Sequence, residues 1–216
     1  MNATTTLPPA GPPRSFAERW ADVLTCPGDL FASLRRAPVS ASNWLLPLLL
    51  TIALAAMSYS ARVPHTAAPL QKLNALVFIA LAGVAGLLWS SLLLWAMGRL
   101  LFKAEFPFSK ALEVAGLAQV VTALSLVITH LLIEATGNPF ARPALSLLVP
   151  AFDPGNRLHV VLGTINFMHF WTAGVLAMGL ARLSQVPFSD AAFWVVGYWI
   201  GLRFVLASLG AGAMVL

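Results

Sequence analysis

Apolar residues fall into five long runs separated by short polar segments, at 44–61, 73–98, 111–133, 158–181 and 191–214. Each has roughly the 17–25 residues that a helix needs to cross a bilayer. The pattern therefore predicts an all-α, polytopic transmembrane bundle of five spans. Trp44 opens the first run, and Pro47 is expected in its first turn, where a missing amide hydrogen costs little. Ahead of the runs, residues 15–43 show a different period. Phe16, Trp20, Val23 and Leu24 share one helical face, with Glu18, Arg19 and Asp22 opposite. Ser15 and Glu18 are spaced as a capping box for that helix. Pro27-Gly28 ends it, and a second short amphipathic helix follows, with Leu30, Phe31 and Leu34 apolar and Arg35-Arg36 at its end. The pattern fits two placements equally: cytoplasmic helices lying in the membrane interface, or helices packed onto the cytoplasmic end of the bundle. Residues 1–14, rich in Thr, Pro and Ala, cannot bury enough apolar surface to offset chain entropy and are expected to be disordered.

One short stretch occurs twice. Pro107-Phe108-Ser109-Lys110-Ala111 and Pro187-Phe188-Ser189-Asp190-Ala191 lie about 80 residues apart. Each follows an apolar run that closes on Ala-Met-Gly and an arginine: Ala96-Met97-Gly98-Arg99, then Ala177-Met178-Gly179 with Arg182. Self-similarity at a fixed spacing marks a repeated structural unit, here helix, polar loop, helix, over about 73–133 and 158–214. Ser109 and Ser189 are placed to cap the third and fifth spans, and the phenylalanines before them to anchor in the interface. The same loops offer docking positions for a partner. The repeats are parallel in orientation, and neither is expected to contain a broken helix.

Composition supports the membrane reading. Of 216 residues, 59% are hydrophobic and 10% charged, whereas a soluble domain carries about 25% charged residues. The net charge of +5 collects at the ends of apolar runs, which suits lipid head groups; no basic stripe interleaved with aromatics points to nucleic acid. A single cysteine, Cys26, excludes an intrachain disulfide. No secretory signal is expected. The basic residues also orient the chain. Arg14, Arg19, Arg35, Arg36, Arg99, Lys103, Lys110 and Arg182 outnumber Arg62, Lys72, Arg142 and Arg157 on the other side. That bias places the N-terminus and both Pro-Phe-Ser loops in the cytoplasm and the C-terminus outside.

Candidate chemistry is sparse. Arg203 lies about 20 Å into the fifth span at 1.5 Å per residue, and a charge there costs about 2.5–3.5 kcal/mol. His130, Asn166 and His169 supply polar groups at similar depth, with Glu134 at the margin. An Arg203–Glu134 pair or an Arg203–Asn166 hydrogen bond would satisfy it, either as a structural clamp or as a pocket for an ion, a proton or a lipid head group. Snorkelling outward is the other solution. His159, Asn166 and His169 fall on one broad face of a continuous fourth helix, but scattered histidines without a tightly spaced Cys or carboxylate do not make a metal site. Gly197 and Gly201, like Ala82-Gly83 with Gly86, suit close helix approach within the monomer or in a homo-oligomer. No phosphate-binding loop, His-Glu-x-x-His motif or nucleophile elbow is present. Every Asp and Glu lies near or outside a predicted helix end, so no buried carboxylate is expected, and neither catalytic residues nor a cofactor.

The order of Pro27-Gly28-Asp29-Leu30-Phe31, Trp44-Leu45-Leu46-Pro47 and the two Phe-Ser repeats resembles the Yip domain family, five-span membrane proteins named for interaction with Ypt/Rab GTPases. The resemblance covers about residues 24–214. It implies a cytoplasmic N-terminus, five helices and a role in membrane organisation or trafficking, with no catalytic residues to carry over. The Ala/Leu/Arg-rich composition looks bacterial, which implies an inner-membrane location and leaves no Rab partner to carry over. The expected function is that of a non-enzymatic adaptor meeting lipid or a protein partner through Phe16, Trp20, Leu24, Leu30 and Phe31 and through the loops at Pro107, Phe108 and Ser109 and at Pro187, Phe188 and Ser189. The alternative is a small transporter or lipid-handling protein using the polar pocket around Arg203.

Overall fold

The computed structural model describes residues 15–62, 68–138, 140–149, 152–153 and 155–208, with the side chains at 61–62, 157, 203–204 and 206–208 outside that set. The expectations for 1–14 and for 209–214 lie outside the described residues. The elements are α1 (Phe16–Thr25), α2 (Pro27–Arg36), α3 (Ser42–Arg62), α4 (Pro69–Leu100), α5 (Phe108–Thr136), a 3-10 turn (Leu145–Leu148), α6 (Arg157–Thr164), α7 (Phe167–Ser184) and α8 (Phe188–Ser208). Apart from one isolated bridge, no strand occurs among the described residues.

Local chemistry explains several boundaries. The capping box forms: the Glu18 amide donates to Ser15 Oγ at 3.3 Å, and the Ser15 amide donates to the Glu18 carboxylate at 2.7 Å. Cys26 closes α1, and Pro27 opens α2, where it needs no amide partner. Gly137, at φ +64°, ends α5 in the left-handed conformation, and its amide donates to the Ile133 carbonyl. Two caps differ from expectation. The third run begins at Phe108, with Pro107 at the cap position and no side-chain cap bond, so Ser109 sits inside the helix. Ser189 is likewise the second residue of α8 and bonds Asp190 Oδ1. Proline-fixed backbone at 107 starts the helix earlier than a serine cap would.

Segment Ser42–Ser60 of α3, together with α4 and α5, is long and apolar enough to cross a membrane. Because α3 starts at Ser42, Pro47 lies past its first turn, inside the helix. Proline cannot donate to the carbonyl four residues back, that of Asn43. The freed Asn43 carbonyl faces Gly116 of α5, where an added Cβ would come within 2.9 Å of it.

Helix α5 is the hub. It packs against α1, α3, α4 and α7, while α8 packs on α7 and α2 docks against α7. Small residues on α5 (Ala111, Ala115, Gly116, Ala118) are buried in these contacts, and they let helices approach without a hydrophobic drive from water. Gly116 meets the Trp44 backbone, and Gly179 of α7 meets Val114. Gly98 of α4 meets the Phe106 ring. The two glycines aligned by the sequence repeat, Gly98 and Gly179, are thus both close-approach points, against different neighbours. Of the small-residue groups singled out in the sequence, Gly83 meets Ile52 of α3, whereas a Cβ at Gly86, Gly197 or Gly201 would meet nothing within 4 Å among the described residues.

The fourth run is not continuous. It breaks between α6 and α7 at Ile165-Asn166, and Asn166 caps α7 by accepting the Met168 amide at 2.9 Å. The loop before it supplies the backbone partners that a helix would otherwise provide: Ala144 bridges Asn166, and the Leu145 amide donates to the Ile165 carbonyl at 3.1 Å. Nothing in the apolar pattern signals this, because the competing hydrogen bonds come from residues 20 positions earlier. The shared face expected for His159, Asn166 and His169 is lost with the helix. His159 belongs to α6 and accepts the Asp153 amide on Nδ1 at 3.0 Å.

Candidate functional site

The strongest polar arrangement lies at the end of the bundle where α1, α2 and the starts of α3 and α5 meet. Lys110 and Glu113 stand three apart on α5 and therefore face the same way. Their ion pair is 2.7 Å long and buried: Lys110 is 7% exposed and Glu113 0%. This overturns the expectation that the chain has no buried carboxylate. Glu113 lies one turn into its helix, but α1 to α3 cover that turn and remove it from solvent.

Every strong contact of the pair ties separate elements together. Lys110 Nζ donates to the Leu34 and Ala37 carbonyls, each at 2.8 Å. Leu34 has one of the carbonyls left over at the C-terminal end of α2, where a cation is favoured. Glu113 Oε1 accepts the Ser40 amide at 2.8 Å and Asn43 Nδ2 at 2.7 Å, just ahead of and within the first turn of α3, where an anion is favoured. Asn43 Oδ1 in turn accepts Arg19 Nη1 of α1 at 2.7 Å. One ion pair thus joins the end of α2, the start of α3 and, through Asn43, α1. Buried pairs of this kind add little net stability but are costly to break, so their effect here is to fix register. Asn43→Ala is expected to cost about 1–3 kcal/mol, leaving Glu113 one donor short. Limited proteolysis of the purified protein should then cut α1 faster than in wild type; an unchanged cleavage rate would show that Asn43 does not hold α1.

The apolar faces of α1 and α2 complete this end. Val23, Leu30, Phe31 and Leu34 are buried, and Trp20 and Leu24 are packed against the same core. Of the two placements left open by the sequence, packing onto the bundle accounts for these residues, and Phe16 stays exposed. Phe108 and Phe188, from the two Pro-Phe-Ser segments, are exposed at 37% and 46%. The two copies differ where it matters: Lys110 and Glu113 in the first correspond to Asp190 and Phe193 in the second, both exposed. That difference was the signal in the sequence. A lysine and a carboxylate at helical spacing replace an exposed pair in the sister copy.

The candidate intramembrane residues fall on α5, α7 and α8 and at the cap of α7. Arg203 lies on α8, but its side chain falls outside the described residues, and so do the two pairings proposed for it. The Asn166 carbonyl oxygen caps α7. His130 and Glu134 sit roughly two and three turns beyond Thr122 on α5, half-buried and exposed. Among the described residues, His169 is the member of this group that lines a cavity of about 270 Å³ bounded by α4, α5, α7 and α8, with Trp89, Thr122, Thr172 and Tyr198 among its walls. The His169 ring stands edge-on to Trp199 at 6.1 Å between centroids. Among the described residues, no group of three His, Cys, Asp or Glu side chains could hold a metal ion.

Helices of this length and apolarity around an inward-facing hub define a helical membrane protein. A family model described as the Yip1 domain matches residues 21–210. The chain therefore belongs to the Yip1 domain family, as the repeats and the Pro27–Phe31 segment led us to expect. No curated protein and no solved structure matches it at a significant level.

Proposed function

We propose that this chain is a five-span, non-enzymatic membrane-organising adaptor of the inner membrane, with its N-terminus and both Pro-Phe-Ser segments in the cytoplasm and its C-terminus outside. Helices α7 and α8 serve as the fourth and fifth spans. The observation that carries the reading is the buried Lys110–Glu113–Asn43–Arg19 network. It locks α1 and α2 onto the end that bears Phe108 and Phe188, making a fixed platform rather than a floppy tail. A rigid surface with exposed aromatics, with Arg35 and Arg36 exposed beside them, suits recognition of a protein at the membrane surface. The basic bias of that end supports the orientation.

Photo-crosslinking residues at Phe108, Phe188 and Phe16 test this in cells. One discrete protein captured at Phe108 or Phe188, and lost when that loop is changed, is the expected result. Capture of lipid alone from all three positions would remove the adaptor reading.

A further inference from the structure

We propose that the cavity between α4, α5, α7 and α8 is a binding site for one acyl chain of a membrane phospholipid. Its shape is the first argument. The lining runs from Trp89 to Met97 on α4 and from Val195 to Leu202 on α8, each roughly 10–12 Å along the helix. The space is therefore elongated along the helices, the direction in which lipid chains lie. It reaches from near the end bearing Lys110 toward the middle of the bundle, which matches a chain from the leaflet on that side.

Its chemistry is the second argument. A polar ligand needs several convergent hydrogen-bonding groups, and several of the few polar groups in this wall are already engaged, with Ser90 and Thr122 contributing two further hydroxyls. Thr172 Oγ1 donates to the Met168 carbonyl at 2.9 Å, and the Tyr198 hydroxyl accepts Trp89 Nε1 at 2.9 Å. The remaining wall is mostly leucine, methionine, valine and aromatic carbon. Apolar cavities stay dry and take apolar guests. The third argument is access. Trp89 is 54% exposed and Leu202 is also exposed, so the mouth between α4 and α8 opens on the hydrocarbon itself. The Trp89–Tyr198 hydrogen bond crosses that mouth as a bar. The site is independent of the adaptor reading and would hold whatever partner the platform takes.

The test uses the full chain in vesicles of phosphatidylcholine and phosphatidylglycerol containing a fraction of phosphatidylcholine with a mid-chain diazirine. After irradiation, labelled positions are mapped by mass spectrometry. Label is expected on the inner wall at Leu93, Thr172 and Leu176 as well as on outward-facing Phe78 and Phe193. Filling the space by Ala173→Phe, or from the opposite wall by Leu93→Phe, should cut inner-wall label about tenfold, a 1.4 kcal/mol effect, and leave label at Phe78 and Phe193 unchanged. The outer label reports whether each variant is folded, and the wild-type map stands if one variant is lost. Label confined to Phe78 and Phe193 in wild type, or inner label unchanged in a folded filled variant, overturns the proposal.

Discussion

Glu113→Ala should lose a large share of the protein's folding stability. It strands the Lys110 ammonium in a buried setting with only the Leu34 and Ala37 carbonyls for company, and it removes the acceptor of the Ser40 amide and of Asn43 Nδ2. Breaking a buried pair from one side costs about 3–5 kcal/mol, against a total stability of about 5–15 kcal/mol. The monodisperse fraction on size exclusion in detergent should fall, and the protein should melt far below wild type. The double variant Lys110→Met/Glu113→Leu separates the pair from its surroundings. With no charge stranded, it should be more stable than Glu113→Ala alone. It should stay below wild type, because the carbonyls of α2 and the amide ahead of α3 lose partners at about 1–3 kcal/mol each. A Glu113→Ala protein as stable as wild type, or a double variant as damaged as the sum of its singles, would show that the pair does not couple these elements.

Gly116→Ala is the second large effect. The added methyl would fall on the Cα and Cβ of Trp44 and close to the Asn43 carbonyl. These are backbone atoms or atoms fixed to backbone, so no rotamer change makes room, and α3 must move away from α5. Overpacking costs about 1–3 kcal/mol, occasionally more, and this site belongs at the upper end. The shift would also pull Asn43 away from Glu113, because Trp44 and Asn43 are neighbours on α3. Gly86→Ala and Gly197→Ala are the controls. Both positions are open among the described residues, and alanine in a helix interior gains roughly 0.5–1 kcal/mol over glycine. Melting temperatures of the three variants should therefore move in opposite directions. A Gly116→Ala protein melting with its controls would mean that α3 and α5 do not meet closely there.

What the sequence revealed and concealed follows the range of the forces involved. The capping box at Ser15, the proline start of α2 and the three long apolar helices depend on residues within a turn or two of each other, and pattern alone located them. The break at Ile165-Asn166 depends on backbone partners from residues 144 and 145. An apolar run without proline gives no hint of it. Glu113 was misjudged for a related reason. Near a helix end a carboxylate is usually solvated, and only the return of residues 34–43 across it, some 70 positions earlier, makes it buried. No pattern singles out Gly116, because its tight contact with the Trp44 backbone depends on how closely α3 crosses α5. The cavity was foreshadowed only by His169, because hydropathy counts the polarity of a helix but not the gaps between helices.

The helices around the hub are unequal in length. Helices α4 and α5 have 32 and 29 residues, whereas α7, the proposed fourth span, has 18 because the run breaks at Asn166. At 1.5 Å per residue these are roughly 48, 43 and 27 Å, against a hydrocarbon core about 30 Å thick. Where the apolar part of the long helices exceeds that core they lean or draw the bilayer thicker, while α7 just reaches across or thins it, each at fractions of a kcal/mol per Å. A single such molecule would set up a gradient of thickness around its own circumference. Copies would then tend to meet edge to matching edge, so that the lipid between them is least deformed, and a protein of this shape could sort itself and its neighbours by the membrane alone.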